Sequence, residues 1–214
     1  PDRAFVADPG AGAIFEVDLA SGARRVFSSQ TVGNGPDWVT PSSVAVRLDG
    51  VPLVSDSSLD ALVEVPFGDR RIVSGFTTGE GPALARPVAL ASSLLFPERL
   101  AVAGPTEIFT TDASNGAREL VSGADRGAGL PFRVVSAVEL SRGPNACITV
   151  LDADLPGLIG VNRLTGARTT ISGGGSGSGP ALTRPRCMVL EPSVVDCANT
   201  ALVVDQPLGL PAAI

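Results

Sequence analysis

An all-β repeat array is the fold class this sequence predicts, and three observations predict it. The phrase Phe5-Val6-Ala7-Asp8 returns as Leu53-Val54-Ser55-Asp56, Ala101-Val102-Ala103-Gly104, Thr149-Val150-Leu151-Asp152 and Leu202-Val203-Val204-Asp205, at steps of 48, 48, 48 and 53 residues. A turn-and-arginine marker keeps pace: Ser21-Gly22-Ala23-Arg24-Arg25, Phe67-Gly68-Asp69-Arg70-Arg71, Asn115-Gly116-Ala117-Arg118-Glu119 and Thr165-Gly166-Ala167-Arg168-Thr169. A third marker follows it: Gly35-Pro36, Gly81-Pro82, the looser Gly129-Leu130-Pro131, and Gly179-Pro180. Markers in fixed order at one period of about 20–50 residues are the signature of solenoids and propellers.

Each period divides into short apolar runs separated by turn residues. The second reads Ser43-Val44-Ala45-Val46-Arg47, Pro52-Leu53-Val54-Ser55, Ala61-Leu62-Val63-Glu64-Val65 and Arg70-Arg71-Ile72-Val73-Ser74. These runs are too short for helices and rich in β-branched residues, so they predict four strands per period and almost no helix. Asp49-Gly50 between two of them is a hairpin signal, because glycine tolerates the positive φ of a primed turn. Four antiparallel strands in such a period make the blade of a β-propeller, with turns at Gly22, Gly68, Gly116 and Gly166. Neighbouring blades cover both faces of each sheet, which suits a chain that is 44% hydrophobic but only 4% aromatic. Phe15, Val63, Phe109 and Ile159 fall at equivalent third-strand positions and are the expected inter-blade core. A parallel β-helix is the competing all-β repeat, but its coils are shorter and need no alternating hairpins.

The consensus of an apolar strand, a Thr-Gly or Ser-Gly turn, Arg, a Ser-Gly strand end, a Gly-x-Gly-Pro loop and a strand ending in Asp resembles bacterial NHL-type and related six-bladed propellers. The resemblance covers nearly the whole chain and implies a segment of a longer bacterial protein. It is specific for fold and says little of function, since propellers serve as lyases, lactonases, receptors and scaffolds.

The chain is expected to be one array with repeats at about 4–50, 51–98, 99–146 and 147–199 and a partial repeat at 200–214. Both ends carry the same second strand, so a single copy is not expected to close a ring by itself. The open ends would be covered by the rest of a longer chain or by further copies, because unpaired sheet edges favour association.

All 16 basic residues are Arg, and the net charge of −6 argues against binding along a phosphate backbone, so no nucleic-acid partner is expected. No apolar run reaches the ~20 residues of a membrane span, so no membrane insertion is expected. Without His there is no histidine-based triad, and without Lys neither a P-loop nor a Schiff base is available. The run Gly173-Gly174-Gly175-Ser176-Gly177-Ser178-Gly179-Pro180 reads as an inter-blade loop, like Val32 to Pro36 and Thr78 to Pro82.

Asp8, Asp56, Asp152 and Asp205 recur just after the second strand. They could cap a turn by accepting backbone N–H groups, pair with a neighbouring Arg, or hold Ca²⁺. Asp152 and Asp154 are the best local metal candidates. Lactonase-like propellers carry a metal through a Glu/Asn/Asp set from different blades, which this sequence does not match residue by residue. Arg24, Arg70, Arg118 and Arg168 read first as structural. Trp38, the one tryptophan, reads as inter-blade packing or as an anchor for a protein partner. Cys187 and Cys197 bracket the stretch where the step grows to 53, which predicts a disulfide between them and an extracellular, periplasmic or cell-surface location. Cys147 reads as a buried thiol.

Two functions follow. The first is a non-catalytic extracellular scaffold or binding module for protein partners or copies of itself, without cofactor. The second is a lactonase- or lyase-type propeller enzyme with a central metal such as Ca²⁺ and residues partly outside this segment.

Overall fold

A computed structural model describes residues 2–93, 99–141, 147–190 and 200–206. Its strands form five antiparallel sheets in chain order. The first holds β1 (Arg3–Asp8), β2 (Ala13–Asp18) and β3 (Arg24–Ser29). The second holds β4 (Pro41–Val46), β5 (Pro52–Asp56), β6 (Ala61–Glu64) and β7 (Arg71–Ser74). The third is β8 (Ala89–Ser92), β9 (Arg99–Ala103), β10 (Ile108–Asp112) and β11 (Arg118–Ser122). The fourth is β12 (Val135–Leu140), β13 (Ile148–Asp152), β14 (Gly157–Val161) and β15 (Arg168–Gly173). The last pairs β16 (Pro185–Leu190) with β17 (Ala201–Asp205). Each strand pairs with its chain neighbour, which sets aside the parallel β-helix: these are the blades of a β-propeller.

The repeat boundaries drawn from sequence fall between the first and second strands of a sheet. The repeating phrase is therefore the second strand, and the first sheet begins with it. The expected turn glycines all lie in the left-handed region, at φ between 71° and 96°, where an L side chain would be strained. Among the described residues there is no α-helix; the turn at Gly68 is a single 3₁₀ turn over Pro66–Gly68.

A β-bulge recurs in the third strand, at Ile14/Phe15, Leu62/Val63, Ile108/Phe109 and Leu158/Ile159. Such bulges add local twist and are retained features of a sheet. The residue after each bulge faces the preceding blade. Val63, Phe109 and Ile159 are buried there, while Phe15, which has no blade before it in this chain, is only half-buried. The core lies between sheets. One cluster joins Ile14 and Phe27 to Val54 and Val63, another Val73 to Leu100 and Phe109, and a third Val121 to Val150 and Ile159. Burying each such side chain contributes about 1.5–3 kcal/mol. Strands β5 and β13 are buried along their whole length, whereas β17 alternates between half-buried and exposed.

Candidate functional site

The recurrent aspartate is a cap. Asp56 accepts backbone N–H bonds from Val39 and Thr40 at 2.8 and 3.0 Å, and from Ser58 and Leu59 at 3.1 Å. Asp152 repeats the pattern with Arg133, Val134, Asp154 and Leu155 at 2.7–3.2 Å. Asp205 accepts from Thr183 and Arg184 and from the Thr183 hydroxyl, which hold its carboxyl below the usual range. The carboxylate thus ties the incoming loop of its own blade to the hairpin that follows the second strand. Asp152 is fully buried with both oxygens taken up by amides, and Asp154 is exposed. Among the described residues no group of three His, Cys, Asp or Glu side chains could hold a metal ion.

The recurrent arginine is a latch. Arg70, Arg118 and Arg168 each stand at, or one residue before, the start of the fourth strand of one blade and enter the glycine-rich loop of the blade before it. Arg70 donates through Nε to the Pro36 carbonyl at 2.6 Å. Its Nη1 reaches Ser28 Oγ, Ser29 O and Val32 O at 3.0, 2.6 and 3.0 Å. Arg118 donates to Pro82 O at 2.7 Å, Ser74 Oγ at 2.6 Å and Thr78 O at 3.0 Å. Arg168 donates to Ser122 Oγ at 2.7 Å, Gly123 O at 3.0 Å and Gly127 O at 3.0 Å. Its Nε is buried without an acceptor, and here the loop carries Leu130 where the others carry the proline directly after Gly. Burial lowers the pKa of the Arg118 guanidinium. The backbone joins in, since the amides of Arg70, Arg118 and Arg168 donate to Asn34, Glu80 and Ala128 carbonyls at 2.7–2.8 Å.

Glycine makes the cradle possible. A Cβ on Gly35, Gly81 or Gly129 would collide with the carbonyl oxygen of the arginine docked there, and all three adopt φ above 100°. Trp38, Leu84 and Phe132 fill the next apolar position of each loop and are buried. Trp38 packs with Ile14, Phe27 and Val54 between the first two blades.

The cysteine expectation is corrected. Cys187 carries a free, exposed thiol, and across its hairpin it faces Val204. Cys147, expected as a thiol, is the disulfide-bonded cysteine. Cys197 lies outside the described residues.

Sequence reasoning missed two exposed aromatics and one half-buried acid. Phe67 and Phe76 stand almost wholly in solvent, Phe67 at a positive φ of 54°. Glu139, half-buried on β12, has its pKa pushed up to about 7 because burial disfavours the carboxylate. A cavity of about 410 Å³ lies between the first two blades, lined by Arg3, Arg25, Phe27, Val65 and Phe67. Among the described residues no helix is long and apolar enough to cross a membrane.

No family model matches the sequence, and no curated protein does. Solved structures match by shape. A chain of the nidogen/laminin complex is 15% identical, with a TM-score of 0.68 over 95% of this chain and 68% of that one. The WD40 repeats of RRP9 are 12% identical, with a TM-score of 0.64 over 88% of this chain and 51% of that one. The extracellular domain of BT4673 from B. thetaiotaomicron is 13% identical, with a TM-score of 0.55 over 79% and 21%. The chain spans about half the length of the RRP9 and U3-55K chains it resembles. At these identities the likeness establishes the β-propeller fold and nothing of its role.

Proposed function

We propose that this chain is a non-catalytic propeller scaffold or binding module of NHL type, part of a longer protein, that works outside the cytoplasm and engages proteins, further copies of itself included. One observation carries the reading. The polar side chains that recur from blade to blade are consumed by the architecture, Asp by backbone amides and Arg by loop carbonyls. Catalysis needs polar groups that face a substrate and converge on a reacting atom. The bonded state of Cys147 favours an oxidising compartment. Exposed Phe67 and Phe76 offer apolar contacts to a protein partner, since aromatic anchors dominate binding energy at such surfaces.

Metal analysis and a hydrolysis panel test this reading against the lactonase alternative. Protein purified in calcium-containing buffer and desalted should retain no stoichiometric divalent metal and should turn over lactones and esters no faster than buffer. One calcium per chain, with turnover abolished by chelation and restored by calcium, would replace the scaffold reading with the enzymatic one.

A further inference from the structure

We propose that the cavity between the second and third blades, at Asp60 and Phe76, receives a lysine side chain of a protein partner. The inference rests on the reading of this chain as a protein-binding module, and it names a site. Because this chain has no lysine of its own, the partner at this site is a different protein and not a further copy.

The cavity lies at an internal seam and measures about 350 Å³, with Leu59, Asp60, Phe76, Leu84, Ala85 and Arg118 among its lining. Repetition supplies a control, since a residue kept for architecture recurs from blade to blade. The turns Ser29 to Val32, Gly75 to Thr78, Gly123 to Arg126 and Gly173 to Ser176 close alike, each by an amide-to-carbonyl bond of 2.9–3.0 Å. Their second residues are Gln30, Phe76, Ala124 and Gly174. The residue two places before each third-strand bulge is Gly12, Asp60, Thr106 or Pro156. One series holds a single aromatic and the other a single acid, and the two fall on the same blade and the same cavity. Phe76 is 96% exposed, so packing does not account for it.

Asp60 has one architectural task, and it uses one oxygen. The third blade carries Gly104 where the second, fourth and fifth carry the capping Asp56, Asp152 and Asp205. Its Arg86 amide therefore finds no cap in its own blade and donates across the seam to Asp60 Oδ1 at 2.7 Å. Asp60 and Arg86 both sit at positive φ in this arrangement, 50° and 47°. Asparagine tolerates that region as aspartate does and would accept the same bond, so capping does not require the negative charge. Asp60 is exposed, and among the described residues no cation pairs with it.

A carboxylate beside an exposed aromatic ring and two leucines fits a cation carried on an apolar stem. The one carboxylate oxygen left open matches the point charge of an ammonium, whereas a guanidinium fork pairs with two, which selects lysine over arginine. Arg118 does not compete for Asp60, because its guanidinium is taken up by Pro82 O, Ser74 Oγ and Thr78 O. The net charge of −6 draws a basic partner toward the chain.

An amide NMR titration of the full chain with N-acetyl-lysine-N-methylamide tests this, with the arginine and norleucine counterparts alongside. The lysine probe should shift the amides of Leu59, Asp60, Phe76 and Ala85 with a dissociation constant of about 1–10 mM, the scale of a single side chain. The norleucine probe keeps the stem without the charge and should bind more weakly, as should the arginine probe. Asp60→Asn retains the acceptor for the Arg86 amide and should weaken the lysine probe about 2- to 5-fold, as should Phe76→Ala, with both unfolding midpoints at the wild-type value. Arginine binding as tightly as lysine overturns the choice of occupant. Lysine binding unchanged in Asp60→Asn overturns the ion pair. No shift at these amides from any probe at about 50 mM overturns the site and leaves the binding-module reading standing, which the metal analysis and hydrolysis panel test separately.

Discussion

Truncating Arg118 to Ala removes the latch between the second and third blades while leaving both sheets intact. The guanidinium donates to Pro82 O, Ser74 Oγ and Thr78 O, and Ser74 Oγ also reaches Gly116 O at 2.8 Å. Loss of the donors strands three acceptors at a buried seam, each costing roughly 1–3 kcal/mol when unsatisfied. Water entering from the loop side recovers part of this, so the net destabilisation is about 3 kcal/mol, with a further loss of packing from the aliphatic stem. The same substitution at Arg24 supplies the control within one molecule: same repeat position, no cradle among the described residues, and an expected change within about 0.5 kcal/mol. Urea unfolding followed by circular dichroism measures both, provided the slope of the transition is unchanged. Arg118→Lys should regain less than half of the loss, because a point charge cannot reach carbonyls on both sides of the loop. Equal destabilisation by Arg118→Ala and Arg24→Ala would refute the reasoning.

Three further expectations follow from the same structure. Asp152→Ala should cost about 2–4 kcal/mol, since four backbone amides lose their acceptor, whereas Asp154→Ala should fall within about 0.5 kcal/mol; thermal unfolding compares them, and calcium should shift neither midpoint. Glu139 has a pKa of about 7 in the folded chain against an ordinary 4.5, so the native state holds its proton more tightly. Stability should therefore fall as pH rises through that window, and Glu139→Gln should flatten the slope, as urea midpoints between those pH values would register. Mass spectrometry after alkylation should find one modified cysteine in the native chain, Cys187, and three after unfolding and reduction.

The fold was legible because its signals are local or periodic. Strand length, the Asp49-Gly50 hairpin and the four turn glycines report on neighbouring residues, and the 48-residue period reports on stacking. Asp56 and Asp152 could be recognised as caps because their amide donors lie in the blade's own loops. The latch was only half legible. Arg70 recurs visibly, yet the carbonyls it reaches lie 34–41 residues earlier and are brought near by blade stacking alone. Trp38 and Phe67 show the same limit. Nothing in their local sequence says that the tryptophan is covered by two sheets while the phenylalanine stands in solvent. The disulfide was misassigned because the enlarged step drew attention to Cys187 and Cys197, whereas the strand register opposes Cys187 to Val204.

The central claim is that one interface, repeated between blades, organises the chain. Hydrogen exchange of four equivalent amides, read by NMR on a dilute sample, tests it most directly. The amides of Arg70, Arg118 and Arg168 donate to carbonyls of the preceding blade and should be protected by factors on the order of 10³ or more. The Arg24 amide, for which the described residues supply no such carbonyl, should exchange far faster than the other three. Protection of Arg24 equal to the other three, or rapid exchange of all four, would contradict the account.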